Sequence, residues 1–73
     1  MLKTVWIMPK GKVKWYNAER GFGFIAPEDG TEVLFADSEK FLNELQELQV
    51  GSVVNYKVLN HKKGKEATDI QLY

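Results

Sequence analysis

The chain has 73 residues, no cysteine, one histidine and a formal net charge of zero at pH 7. This length suffices for one domain with a thin hydrophobic core, and the absence of cysteine excludes disulfide bonds and thiolate metal sites within it. No apolar run approaches the roughly 20 residues of a membrane-spanning helix, and the apolar start of residues 1–9 is interrupted at Lys3 with no small-residue cleavage site following. We therefore expect a cytoplasmic protein that binds no metal or other cofactor and has no membrane partner.

The charges are segregated along the chain although they sum to zero. Residues 10–20 and 57–65 are mainly basic, whereas residues 28–47 are mainly acidic. If the two basic segments meet in space, they form a local positive patch on a neutral protein. The alternative is that these charges are scattered and solvated, which describes the acidic segment well.

Residues 1–9 are predicted to be an N-terminal extension to a domain that spans residues 10–73. Val5, Trp6 and Ile7 could belong to an added strand, but Pro9 cannot donate to a β-ladder and marks a break. Three interpretations stay open for this segment: a native extension, a contact between protomers, or vector-derived sequence.

Residues 10–17 are predicted to form strand one. Strict alternation places Val13 and Trp15 on one face of the strand. The other face then carries Lys12, Lys14 and Tyr16.

Residues 21–26 are predicted to form strand two, in which Phe22 and Phe24 share one face and Ile25 lies on the other. Pro27 to Gly30 then form a turn with Asp-Gly chemistry. Aromatic rings surrounded by cations suit single-stranded nucleic acid, because bases stack on the rings and phosphates meet the charges. The alternative is an edge hairpin that buries its phenylalanine pair. The basic residues around these rings are Lys12, Lys14 and Arg20.

The segment GKVKWYNAERGFGFI resembles the opening of the cold-shock domain, in which K-W-F/Y-N leads into the nucleic-acid motif K/R-G-F-G-F-I. The resemblance is strongest over residues 11–30 and extends as a weaker pattern to the C-terminus. It implies an all-β fold, a small five-stranded antiparallel barrel of the OB type that binds single-stranded RNA or DNA. The family presents both Lys14 and Trp15 to the ligand, and a β-bulge in strand one would reconcile this with the alternation.

Residues 31–36 are predicted to form strand three, with Val33 and Phe35 facing inward. The family's second nucleic-acid motif reads approximately V-F-V-H-F. Aligned without a gap, its three stacking positions fall on Leu34, Ala36 and Asp37. Only Leu34 can then lie against a base, so this motif is degenerate and we expect weakened binding.

Residues 38–48 are predicted to form one short amphipathic helix between strands three and four, because the run lacks glycine and places apolar residues at helical spacing. Ser38 would cap this helix, and Leu45 and Leu48 would be buried. The helix would either close one end of the barrel or present a face to a partner.

Residues 51–59 and 66–73 are predicted to form strands four and five, the latter contributing Ala67, Ile70 and Leu72 to the core. The basic turn between them contains Lys63, which the resemblance implies as a phosphate contact. The alternative is a solvated hairpin tip.

The predicted function is low-specificity, RNA-chaperone-like binding of single-stranded RNA or DNA. No nucleophile–base pair stands in a recognisable spacing, so the sequence does not indicate an enzyme. The alternative is a divergent or chimeric barrel that acts as a protein-interaction module, with a partner or a second copy bound through residues 1–9 or 38–48. The predicted nucleic-acid-binding residues are Lys12, Lys14, Trp15, Tyr16, Arg20, Phe22, Phe24, Leu34 and Lys63.

Overall fold

The computed structural model describes residues 9–73, so the predicted N-terminal extension lies outside the described residues except for Pro9. Five strands form a closed barrel in the order β1-β2-β3-β5-β4, which confirms the predicted all-β, OB-type fold. Neighbouring strands run antiparallel, apart from β3 and β5, which are parallel. The strands are β1 (Lys10–Asn17), β2 (Phe22–Pro27), β3 (Leu34–Asp37), β4 (Val53–His61) and β5 (Gly64–Leu72).

A β-bulge interrupts the alternation of β1, as the resemblance implies. The register between β1 and β2 shifts between Val13 and Trp15. Val13 is therefore buried, whereas Lys14 and Trp15 are both exposed. The bulge allows one strand to supply a core residue and two adjacent surface residues.

The core is built from inward-facing residues of all five strands together with one leucine from a loop. Tyr56 is its largest fully buried side chain, and its hydroxyl donates to the carbonyl oxygen of Lys10 at 3.2 Å. The predicted contribution of Leu72 is wrong, because this residue ends β5 and stays 60% exposed. The buried core residues are Val13, Ile25, Leu34, Ala36, Leu48, Val54, Tyr56, Ala67 and Ile70.

The predicted helix over residues 38–48 is wrong. Only Ser38–Lys40 are helical, as a single 3-10 turn. The chain then becomes extended at Phe41, which forms a β-bridge with Ile70, and the amide of Leu42 donates to the Ile70 carbonyl at 2.8 Å. Pairing with a distant strand thus overrides the local helical preference, which is weak for a helix of two or three turns.

Leu45 and Leu48, two of the apolar residues whose spacing predicts the helix, still reach the core from this loop. Leu48 is 4% exposed, as predicted, and Leu45 is partly buried against the core. The loop also contains residues in the left-handed region, with φ of 55° at Asn43 and 62° at Glu44. Within residues 9–73, no helix is long and apolar enough to cross a membrane.

Candidate nucleic-acid interface

Four aromatic side chains form a continuous surface across β1, β2 and β3. The strand registers place Trp15 opposite Phe24, and Phe24 opposite Phe35, so the three side chains lie in one row. Phe22 lies beside this row, with its ring centroid 5.6 Å from both Trp15 and Phe35. Trp15 to Phe24 and Phe24 to Phe35 each measure 6.0 Å. We call this group of Trp15, Phe22, Phe24 and Phe35 the aromatic surface.

The aromatic surface is accessible to a ligand. Trp15 is 43% exposed and Phe24 is 37% exposed, whereas Phe22 and Phe35 are half-buried by their neighbours. Rings at these spacings contact one another in tilted and edge-on geometries, which leaves ring faces and edges open on the solvent side. Because aromatic side chains stack on any base, such a surface can accept several successive nucleotides.

Gly23 allows β1 and β2 to approach closely beneath these rings. A Cβ atom at this position would overlap the carbonyl oxygen of Trp15 and lie 2.8 Å from the Cα of Tyr16. The glycine between the two phenylalanines is therefore a packing requirement of the strand pair.

The prediction that Leu34 lies on the binding face is wrong, and so is the inward orientation predicted for Phe35. Leu34 is 2% exposed and belongs to the core, because it pairs with the inward-facing Ile25. Phe35 pairs with Phe24 and shares its outward face. A shift of one residue in a strand exchanges its two faces. The ungapped alignment of the second motif with this chain is wrong by one such residue.

A one-residue insertion in the loop before β3 corrects the alignment and identifies the residue that sequence reasoning missed. Phe35 then falls on the first phenylalanine of the V-F-V-H-F pattern. Its histidine and last phenylalanine fall on Asp37 and Ser38. In this alignment the second motif retains one aromatic residue, Phe35, on the same face as Phe24. The signal in the sequence that could have identified this residue is the presence of a phenylalanine, Phe35, near the end of the predicted third strand.

Asp37 places a carboxylate at the edge of the aromatic surface. It pairs with Phe22 across β2 and β3 and is partly buried. One carboxylate oxygen accepts a hydrogen bond from the amide of Glu39 at 2.9 Å, which caps the 3-10 turn. This cap holds a negative charge beside the ring where a phosphate or a base would approach.

Tyr16, another predicted contact, lies apart from the aromatic surface. It pairs with Gly23, whose other partner is the buried Ala36. The ring packs against Phe41 at a centroid distance of 6.0 Å. Partial burial raises the pKa of the Tyr16 phenol, and the nearby carboxylate of Glu47 raises it further. Tyr16 therefore joins the loop to the barrel and does not extend the row of rings.

The predicted cations of β1 and the following turn are exposed beside the aromatic surface. Lys14 lies at the bulge next to Trp15, and Lys12 lies two residues before Lys14. Arg20 lies in the turn that leads into β2, where its amide donates to the side chain of Asn17 at 3.0 Å. None of the three forms an ion pair within residues 9–73, so their charges are available to phosphates.

Lys63 lies far along the chain from these cations, in the exposed turn that joins β4 to β5. That hairpin meets the aromatic surface through β5, where Glu66 pairs with Phe35. The two basic segments therefore flank the row of rings at its β1 end and beyond its β3 end. They do not come together as one compact patch.

Comparisons with known proteins agree with this geometry. The family model "'Cold-shock' DNA-binding domain" matches residues 9–73. Probable cold shock protein A of Mycolicibacterium smegmatis is 42% identical over 65 residues, covering 88% of this chain and 97% of that protein. Cold shock-like protein CspA of Bordetella pertussis is 44% identical over 66 residues, covering 89% and 98%. A solved structure, drosophila Unr CSD456, shares the fold with a TM-score of 0.75 at 19% identity, over 92% of this chain and 27% of that longer chain.

Proposed function

The chain belongs to the cold-shock domain family, and from this premise we propose that it binds single-stranded RNA or DNA through the aromatic surface. The observation that carries the proposal is the unbroken contact of four rings, with exposed Trp15 and Phe24 beside the exposed Lys14. Such a combination supplies stacking and phosphate neutralisation together. The binding is non-enzymatic, since the surface needs only to hold bases and phosphates.

The order of charges around the rings supports one orientation of the bound strand. The cations Lys12 and Lys14 lie on the β1 side, whereas the carboxylate of Asp37 lies on the β3 side. A phosphate backbone is attracted to the first side and repelled from the second. We infer that the strand is anchored by its phosphates at the β1 end and crosses the aromatic surface over Phe24 towards β3.

The affinity should be lower than that of a barrel with a complete second motif. Two stacking positions of that motif carry Asp37 and Ser38 here, and neither side chain offers an aromatic face. Each stacked base contributes about 1–3 kcal/mol, so the loss corresponds to one or more powers of ten in Kd. Sequence preference should be slight, because stacking tolerates every base. Weak, sequence-tolerant binding suits a chaperone-like role in which the protein competes with unstable RNA base pairing.

The alternative function, a protein-interaction module, has less support. The predicted helix, which would carry the partner-binding face, does not form. In its place the loop borders an open groove of about 410 Å³, whose lining includes the exposed Leu42 and Leu72 together with several polar side chains. The residues that line this groove include no aromatic and no basic side chain. They therefore indicate no particular ligand, whereas the aromatic surface suits nucleic acid.

A titration with a fluorescently labelled single-stranded oligonucleotide tests the proposal. We expect binding to quench the fluorescence of Trp15, measured in a Trp6→Phe background so that one tryptophan remains. Phe24→Ala should weaken binding, because Phe24 contacts three rings of the surface. Leu72→Ala is the matched control, since it removes an exposed apolar side chain from another part of the barrel. Equal affinities of the parent and Phe24→Ala would contradict the proposal.

A further inference from the structure

The row of outward-facing side chains continues past the aromatic surface onto the β4–β5 hairpin. β3 and β5 pair in parallel with Phe35 beside Glu66. On the other side of β5, Glu66 pairs with Leu59 of β4. Side chains of paired residues lie on the same face of a sheet. The row therefore reads Trp15, Phe24, Phe35, Glu66 and Leu59.

His61 lies on this same face of the hairpin and is tied to the row by a hydrogen bond. It follows Leu59 by two residues in β4, which returns its side chain to the outward face. Its Nε2 lies 2.6 Å from Oε1 of Glu66. The Glu66 side chain is only 14% exposed, whereas the His61 side chain is 48% exposed. A largely buried carboxylate in the row thus holds an accessible imidazole ring above it.

The hydrogen bond restricts the orientation of the ring, and 48% of the His61 side chain stays exposed. An ionised carboxylate can only accept, so Nε2 of His61 carries the proton that the bond requires. Rotation of the imidazole is thereby restricted before any ligand binds, which lowers the entropy that a ligand must overcome.

We propose that His61 is a further base-stacking residue, held in place by Glu66, at the hairpin end of the aromatic surface. This proposal rests on the proposed function, and it extends the bound strand beyond Phe35 by one base. Histidine is one of the side chains on which unpaired bases stack. Asp37 stands at the histidine position of the second motif on β3, and His61 on β4 offers a ring on the same face. Exposed lysines in the β4–β5 turn and at the start of β5 offer phosphate contacts beside it: Lys62, Lys63 and Lys65.

A length series of oligonucleotides tests this extension. Oligonucleotides of about four and about eight nucleotides fall within the site sizes of one OB fold. In the parent protein the longer strand reaches His61 and the shorter strand is held by the four rings. We expect His61→Ala to weaken binding of the longer strand by about fivefold or more, the range of one stacked base. Binding of the shorter strand should be unchanged.

His61→Phe separates stacking from charge. Both His61→Phe and His61→Ala break the hydrogen bond to Glu66, but only the phenylalanine variant keeps a ring. We expect His61→Phe to retain most of the affinity for the longer strand. If both variants lose affinity equally, the residue acts through Glu66 or its own charge, and the stacking proposal is wrong.

A spectroscopic readout distinguishes the failure of this proposal from the failure of the proposed function. Since the chain contains one histidine, its imidazole proton resonances are identified without further labelling. The longer strand should move them upfield by the ring current of a stacked base, and the shorter strand should leave them in place. Stationary resonances, with Phe24→Ala still weakening both strands, would overturn the His61 proposal alone. Absence of binding by the parent to either strand would overturn the proposed function itself.

Discussion

The two ends of the aromatic surface differ in exposure and in charge. At the β1 end, Trp15 is the most exposed of the four rings and Lys14 lies next to it in the bulge. At the β3 end, Phe35 is half-buried and Asp37 follows it on the same face. One end therefore joins a ring to a cation, and the other joins a ring to a carboxylate.

Under the proposed function, this difference predicts where the free energy of binding originates. Stacking is possible at both ends, since the rings contact one another from Trp15 to Phe35. Phosphate neutralisation is available at the β1 end and opposed at the β3 end. A strand should therefore be anchored at β1 and held more loosely towards β3, where His61 lies further along the row.

The largest effect should come from Gly23, which supports the β1 end from below. In Gly23→Ala the new methyl group would overlap the Trp15 carbonyl oxygen and approach Tyr16. We expect the free energy of unfolding to fall by about 3 kcal/mol, the upper end of the range for overpacking. Urea denaturation measures this change.

Gly30→Ala is the control for that substitution. Gly30 lies in an exposed turn where an added Cβ atom would meet no other atom within 4 Å, although its φ of 82° makes a side chain strained. Its cost should be limited to about 1–2 kcal/mol of backbone strain. A Gly23→Ala variant as stable as Gly30→Ala would show that β1 can move away from β2 at little cost.

Removing a ring should have the next largest effect, and it should affect binding and not folding. Phe22→Ala deletes the ring that contacts Trp15, Phe24 and Phe35 together. We expect binding to weaken by about 1–3 kcal/mol while the barrel stays folded, as measured by oligonucleotide titration and circular dichroism. An unchanged Kd would mean that bases do not stack on Phe22, in the middle of the aromatic surface.

The same contrast explains how far the sequence alone can be interpreted. At the β1 end, Trp15, Phe22 and Phe24 belong to one continuous motif of fixed spacing, which predicts how β1 and β2 pair. The resemblance also predicts the bulge. At the β3 end, one inserted loop residue exchanges the faces of Leu34 and Phe35, because a strand has a period of two and no glycine marks the register there.

The loop after β3 could not be predicted from local pattern for a different reason. Its backbone pairs with Ile70 in the last strand, a partner that helix propensity ignores. The apolar spacing correctly indicates burial of Leu48, since a leucine can reach the core from a loop as well as from a helix. The contact between His61 and Glu66 was also not predictable, because it depends on the register of the β4–β5 hairpin. That register follows only when the exact residues of the turn are known.

A gain of affinity is expected when the charge at the β3 end is removed. Asp37→Asn keeps a side chain that can cap the 3-10 turn but removes the negative charge beside Phe22. Asp37→His removes the charge and adds a ring at the motif's histidine position. We expect a modest gain for the asparagine variant and about 1 kcal/mol more for the histidine variant, measured by the same titration. Glu39→Gln, in the same turn, controls for a general change in net charge, and a gain of equal size there would contradict a specific role for Asp37.

Single lysine substitutions should have the smallest effects, and the salt dependence of binding resolves them. If Lys12, Lys14, Arg20 and Lys63 each neutralise one phosphate, the slope of log affinity against log salt should be near −3, at about −0.7 per contact on a single strand. Lys14→Gln at the β1 end and Lys63→Gln on the hairpin should each reduce its magnitude by about 0.7.

The two lysine variants compare the two ends of the surface directly. Equal reductions would mean that phosphates are neutralised at both ends, so that the strand continues past Asp37 to the hairpin. A reduction for Lys14→Gln alone would place the phosphate contacts at β1 and leave the β3 end to stacking. A slope shallower than about −1.5 in the parent protein would be too small for three single-strand contacts. The basic segments would then not act on one strand, and the groove beside Leu42 and Leu72 would become the better place to look for a ligand.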